Sequence, residues 1–272
     1  VLIDGVNGKS VADLSVEYQH QTAADFYRPQ ASYFGKINGI VVNDADNTRI
    51  DTVEVSGANR AGVFFTSTAT SLSGARQALI DHQISAADAP AGDNNQLLYS
   101  NLHHNRVAGA LVAFQKNFTA DSNHLAWNGH EADGGTGYGI ATLGGSYNFG
   151  VSYTRNTTDH NYRKGLDSHE GNHIHIENNI SNGDRLVGLG VSNHQFKMEN
   201  VTIRHNTIIA DPNFRCTSDD GDKDAQIGQG ENYHAYEGIN LLTNIESNKI
   251  DLRSQGPGTF DISDNTIRGL ET

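Results

Sequence analysis

Seven times along the chain a glycine opens a short run of alternating side chains: Gly39-Ile40-Val41-Val42, Gly62-Val63-Phe64-Phe65, Gly109-Ala110-Leu111-Val112, Gly139-Ile140-Ala141-Thr142, Gly165-Leu166-Asp167-Ser168, Gly188-Leu189-Gly190-Val191 and Gly238-Ile239-Asn240-Leu241. Aligned on those glycines, the next position reads Ile40, Val63, Ala110, Ile140, Leu166, Leu189 and Ile239. Two residues further on it reads Val42, Phe65, Val112, Thr142, Ser168, Val191 and Leu241. Both columns are apolar or small, and alternate side chains of a strand share a face. They predict stacked strands that bury one continuous inward core. A second apolar run follows most of the first ones, over 50–55, 97–102, 151–154, 174–180, 201–208 and 260–267. Near its end an asparagine recurs, at Asn101, Asn123, Asn156, Asn179, Asn206 and Asn265. Amides so placed can bond the next coil and the turn backbone, and asparagine tolerates left-handed turn geometry. Gly39 to Gly62, Gly139 to Gly165 and Gly165 to Gly188 are 23, 26 and 23 residues apart. Such a period predicts a solenoid with one coil per repeat. The expected fold is an all-β, right-handed parallel β-helix, a single-stranded solenoid carrying two loop insertions.

The insertions fall at about 70–95, with a helix-like stretch from Ser73 to Ile80, and at about 210–236, with the acidic run Asp219-Asp220-Gly221-Asp222-Lys223-Asp224. Long loops in a regular coil are commonly functional walls or tips. Residues 1–38 read as a partial coil with a strand at 13–17, followed by a loop at 27–33. The whole of 1–272 is expected to form one domain, a mature or excised module of a longer chain, and to be a monomer.

Composition changes this picture only in what it excludes. A net charge of -13 argues against nucleic acid, which needs a dominant basic surface. The single cysteine, Cys216, excludes an internal disulfide framework and a cysteine zinc site. No apolar run approaches the about eighteen residues of a membrane span. The acidic run is a candidate Ca²⁺ site through its oxygens. A solvated turn is the simpler reading of it, no metal ligand set is assigned, and no other cofactor is expected.

Chemistry concentrates at Lys164-Gly165-Leu166-Asp167-Ser168-His169-Glu170. Alternation turns Leu166 and Ser168 inward and sets Asp167 and His169 side by side on the outer face. The same alignment places them beside Ala141 and Leu143 on one coil and Gly190 and Ser192 on the next. Gly190 then reads as a bare floor able to admit a sugar. Arg60, Arg106, Arg163 and Arg185 each stand two or three residues before a column glycine, which predicts a cationic line. Arginine grips carboxylates bidentately, so the line points to a chain of uronic acids. Tyr138 should stack on Lys164. Trp127, Glu131 and Tyr162 lie in neighbouring turns, where Trp127 reads equally as a sugar-stacking or a packing residue. His173 and His175 flank inward Ile174, with no third metal ligand evident.

The coil pattern together with Asp167, His169 and Glu170 resembles the alginate (mannuronan) C5-epimerase family and its lyase relatives. Those are secreted parallel β-helix enzymes with an Asp-Pro-His core followed by an acidic residue. Ser168 departs from the proline, and Lys164 stands where a catalytic tyrosine is expected, with Tyr138 one coil earlier. The resemblance implies secretion, an anionic polysaccharide substrate and C5 chemistry. On that reading Arg163, Lys164 or Arg185 neutralises the uronate carboxylate. His169, tuned by Asp167, removes the C5 proton, and Tyr138 or Tyr162 acts as acid. Arg106, Glu170, Trp127 and Glu131 complete the substrate-binding set. Returning the proton on the opposite face gives epimerisation, and loss of the 4-linked oxygen gives β-elimination. The remaining alternatives are a glycoside hydrolase with acids drawn from Glu131, Asp133, Asp167 and Glu170, and a non-catalytic glycan-binding solenoid.

Overall fold

The computed structural model describes residues 1–17, 37–67, 72–81, 83–129, 136–169, 171–193, 200–214, 236–243 and 259–269. Three sheets run the length of the stack, and every strand pairing between coils is parallel. The first sheet holds Leu2–Asp4, Ile40–Asn43, Ala61–Thr66, Ala108–Val112, Tyr138–Thr142, Lys164–His169, Val187–Asn193 and Glu237–Thr243. Within a coil the chain passes from it to the second sheet, as in Asn148–Thr154 and Gly171–Glu177, and then to the third, as in Thr157–Asp159 and Ile180–Asn182.

The coil therefore has three strands where the sequence pattern predicted two. The run 50–55 divides into Arg49–Asp51 and Glu54–Ser56, and 201–208 into Val201–Arg204 and Thr207–Ile209. The break is a single residue in the left-handed region: Thr52, Tyr99, Ser122, Arg155, Asn178 or His205. An inward side chain follows each of these corners. In successive coils Asn123, Asn156, Asn179, Asn206 and Asn265 form a ladder, in which each Oδ1 after that of Asn123 accepts from the Nδ2 of the coil before it. Asn101 is not in that ladder; Ser100 holds the position. A parallel ladder, Asn105, Asn128, Asn161 and Asp184, lines the corner between the third and first sheets. Residues 1–17 form three strands of their own, Leu2–Asp4, Ser10–Ala12 and Ser15–Glu17, and so a complete first coil. The helix expected in the first insertion spans Leu72–Ile80. The loop expected at 27–33 and residues 215–235 of the second insertion lie outside the described residues.

Both inward columns of the first sheet are buried in one core, from Ile40 and Val42 through Leu189 and Val191. The column glycines recur because adjacent coils approach too closely for a side chain. A Cβ would stand 2.7 Å from the Gly109 carbonyl oxygen at Gly62, and 2.5 Å from that of Gly165 at Gly139. On the outer face, the residue before each glycine packs with the residue two after it. Ala61, Phe64, Ala108, Leu111, Tyr138 and Ala141 form a second apolar cluster there. On the next coil the same two positions are Lys164 and Asp167. Polarity changes abruptly at that step.

Candidate active site

The strand Lys164–His169 lies between Tyr138–Thr142 and Val187–Asn193, in the register expected: Tyr138 beside Lys164, Ala141 beside Asp167, Asp167 beside Gly190 and His169 beside Ser192. Leu166 points into the core and Asp167 away from it. Asp167 is nevertheless fully buried, with Lys164 Nζ 3.4 Å from its Oδ1 and His169 Nδ1 2.9 Å from its Oδ2. Burial alone would raise the carboxyl's pKa. The charges on His169, Lys164 and Arg163 outweigh that and hold it well below the usual carboxylate range. Asp167 is thus a fixed anion under the site.

His169 is the more accessible partner. Its ring N–H at Nδ1 is aligned with the Thr142 carbonyl oxygen at 3.2 Å, with Asp167 Oδ2 as a close electrostatic neighbour. The Thr142 hydroxyl in turn donates to the His169 carbonyl. Two acceptors at Nδ1 place the proton there in the neutral ring, which makes Nε2 the basic atom. Tyr138 stands edge to face with His169 at 6.0 Å between ring centres. Arg163 donates to the Tyr138 hydroxyl and lies 5.4 Å from its ring centre. From the core side, the Tyr153 hydroxyl donates to the Asp167 carbonyl at 3.3 Å. An imidazole, a phenol and a guanidinium therefore meet above a buried ammonium–carboxylate pair.

Several expectations are corrected. Gly190 does not open a floor for a sugar: a Cβ there would lie 2.4 Å from Asp167 Oδ1, so its missing side chain makes room for Asp167 itself. Lys164 is only 2% exposed, and its ammonium is placed against Asp167 rather than toward a polymer. The arginines do not form one line. Backbone hydrogen bonds align Arg60 and Arg163 in one column with Val107 and Gly137, and Arg106 and Arg185 in the next with Gly129 and Tyr162. The cause is the spacing to the column glycine, two residues for the first pair and three for the second. Arg106 and Arg185 are also buried, which leaves Arg163 as the arginine at the site.

Tyr162 packs edge to face on Phe214 at 5.1 Å, at an aromatic corner that also holds Trp127 and His160. Trp127 stacks on His160 with ring centres 4.7 Å apart. His175 pairs with Glu177 at 2.8 Å, and His173 accepts from Asn200. Among the described residues no three histidine, cysteine or acidic side chains are grouped to hold a metal. Glu131, Asp133, Glu170 and the run 219–224 lie outside the described residues. Thr142 was not singled out from the sequence. Its hydroxyl, shared only with Ser168 of the next coil in a column whose other members are Val42, Phe65, Val112, Val191 and Leu241, was the available signal.

A family model described as "Right handed beta helix region" matches residues 38–228. The chain belongs to that family. No curated protein matches this β-helix protein in sequence. Among solved structures it is similar to pectate lyase Pel9A, with 16% identity and a TM-score of 0.42 over 90% of this chain and 62% of that one. It is also similar to the catalytic domain of a GH87 α-1,3-glucanase, with 11% identity and a TM-score of 0.35 over 98% of this chain and 53% of that one. The β-helix chain thus spans less than two thirds of either structure, and at these distances neither likeness bears on the reaction.

Proposed function

We propose that this β-helix protein is a polysaccharide-modifying enzyme that abstracts the C5 proton of an anionic uronate polymer, with mannuronan C5-epimerisation as the specific reaction. The observation that carries the reading is the orientation of His169: Nδ1 is engaged by the Thr142 carbonyl and Asp167, and Tyr138 stands beside the ring. Arg163 is the cation that meets the substrate carboxylate, and its charge acidifies the C5 proton by favouring the enolate-like intermediate. His169 Nε2 takes that proton. Asp167 stays ionised and stabilises the imidazolium so formed, with buried Lys164 balancing its charge. Tyr138, hydrogen-bonded to Arg163, is the group that returns a proton. An acid–base step of this kind supplies about 10²–10⁴-fold.

The same low pKa that suits Asp167 as an orienting anion makes it unfit as the proton donor of a glycoside hydrolase. Epimerase and lyase share one intermediate, and the products separate them. The test is incubation with polymannuronate, polyguluronate and neutral glycans in deuterated water. Deuterium at C5 without chain shortening is the expected result. Ultraviolet absorbance from an unsaturated uronate assigns a lyase, and new reducing ends without absorbance overturn C5 chemistry. Full turnover by folded His169→Ala overturns the assigned base.

A further inference from the structure

His160 sits at the corner between the third and first sheets, one coil on from Trp127, and both of its ring nitrogens face carboxylates. Nδ1 lies 2.7 Å from Asp159 Oδ1, and Nε2 lies 3.1 Å from Asp211 Oδ2. A neutral imidazole has one N–H and one lone pair, so it can satisfy only one of these acceptors and must turn a lone pair on the other. The doubly protonated ring satisfies both. The surroundings favour that cation: one face lies nearly parallel to Trp127, at 7° between planes. On the other side is Gly183, where a Cβ would stand 2.8 Å from His160 Nε2, so the ring fits only because residue 183 has no side chain.

Asp159 belongs to the strand Thr157–Asp159, beside His160, and also accepts from Asn182 at 2.7 Å. Asp211 belongs to a different segment, the turn Asp211–Phe214 that leaves the strand Thr207–Ile209. There its other oxygen accepts from the Asn213 amide at 2.8 Å. The same turn lays Phe214 against His160 at 5.2 Å, Trp127 at 5.4 Å and Tyr162 at 5.1 Å. Among the described residues, the charged groups facing His160 are therefore Asp159 and Asp211. Trp127, Asn182, Gly183 and Phe214, from the other elements packed there, add no charge.

We infer that His160 is a proton-operated latch: its doubly protonated ring ties the Asp211–Phe214 turn to the coil stack, and loss of one proton releases the turn and uncovers the edges of Trp127 and Tyr162. Partial burial lowers the ring's pKa, but the two carboxylates outweigh it and raise it above the ordinary histidine value. The latch thus holds at acidic and near-neutral pH and opens above. It does not depend on the chemistry assigned to His169.

Trp127 is the only tryptophan in the chain and stacks on the ring in question. Its fluorescence, quenched by a stacked imidazolium, therefore reports the latch directly. Titrated from pH 5 to 9, the wild-type protein is expected to brighten in one step with a midpoint above about 6.5. His160→Gln abolishes the step, and Asp211→Asn lowers its midpoint by about one pH unit or more. Hydrogen-exchange protection at the Asn213 and Phe214 amides, corrected for the intrinsic rate, is expected to fall at least about tenfold across the same midpoint. A brightening step that survives in His160→Gln, or a midpoint unmoved in Asp211→Asn, overturns the assignment of the titrating group. Protection at Asn213 and Phe214 that is unchanged across the step overturns the release.

Discussion

Lys164 Nζ and Asp167 Oδ1 lie 3.4 Å apart, three residues apart on one strand, with the two side chains 2% and 0% exposed. Lys164 and Asp167 would each pass as polar surface from sequence alone. They instead form a sealed ion pair beneath His169. Removing one partner of such a pair leaves a buried charge uncompensated, typically at a cost of about 3–5 kcal/mol. Lys164→Met is expected to lower stability toward that range, tempered by the charges of His169 and Arg163. Lys164→Met combined with Asp167→Asn should recover part of the loss. Urea unfolding of the two single variants and the double gives the coupling, and strictly additive losses would refute the pairing.

Acid should undo the same arrangement. The Asp167 carboxyl is depressed in the fold, so its contribution to stability is present above the unfolded value near 4 and is lost as pH falls through the folded value. In Asp167→Asn that part of the acid dependence should vanish, as read from urea midpoints at pH 3 and pH 6.

Asp184 runs the other way. It ends the ladder of Asn105, Asn128 and Asn161, accepting from Asn161 at Oδ1 and from Ser181 and Thr158 at Oδ2. Burial pushes its pKa up to about 6 in spite of those bonds. A carboxyl raised in the fold adds stability below about pH 4 and loses it as pH rises through 6. Asp184→Asn should flatten stability between pH 4.5 and 7, and at pH 7 exceed wild type by on the order of 1–3 kcal/mol. A variant weaker than wild type at pH 7 but not at pH 4.5 would mean that the donors prefer the anion.

Gly190→Ala tests what the missing side chain is for. Its Cβ would meet Asp167 Oδ1 at 2.4 Å, so the carboxylate must turn away from Lys164 and His169. Overpacking of this kind costs about 1–3 kcal/mol. The variant should lose turnover on polyuronate well beyond what its unfolding midpoint explains. Unaltered kcat in the folded variant would return Gly190 to the role of an open floor.

The asparagine ladder should carry stability wherever it is cut. Asn156 accepts from the backbone and Nδ2 of Asn123 and donates to the Ala120 carbonyl and to Asn179. Asn156→Ala leaves those buried groups unpaired, at about 1–3 kcal/mol for each. A loss of several kcal/mol in urea is expected, against little effect from Asn101→Ala, whose position is outside the ladder.

The amino-acid sequence by itself determined the coil, its inward columns, its glycine column and the neighbours of Asp167 and His169. Each follows from a period of two along a strand and a repeat along the chain, and both are written in residue order. The third sheet was not legible, because a one-residue corner at Thr52, Ser122 or Arg155 uses no glycine or proline to announce itself. Whether Asp167 faced water was likewise undecided by alternation, which distinguishes outward from inward but not exposed from covered. The offset of Arg106 and Arg185 from Arg163, by contrast, was written in residue order, as three residues to the column glycine against two. Only the tertiary structure decided that Asp167 is covered, by folding Lys164 and His169 onto the carboxylate beside Gly190 of the next coil. That outcome depends on side-chain reach and on the contact between coils, and neither is a property of any single repeat.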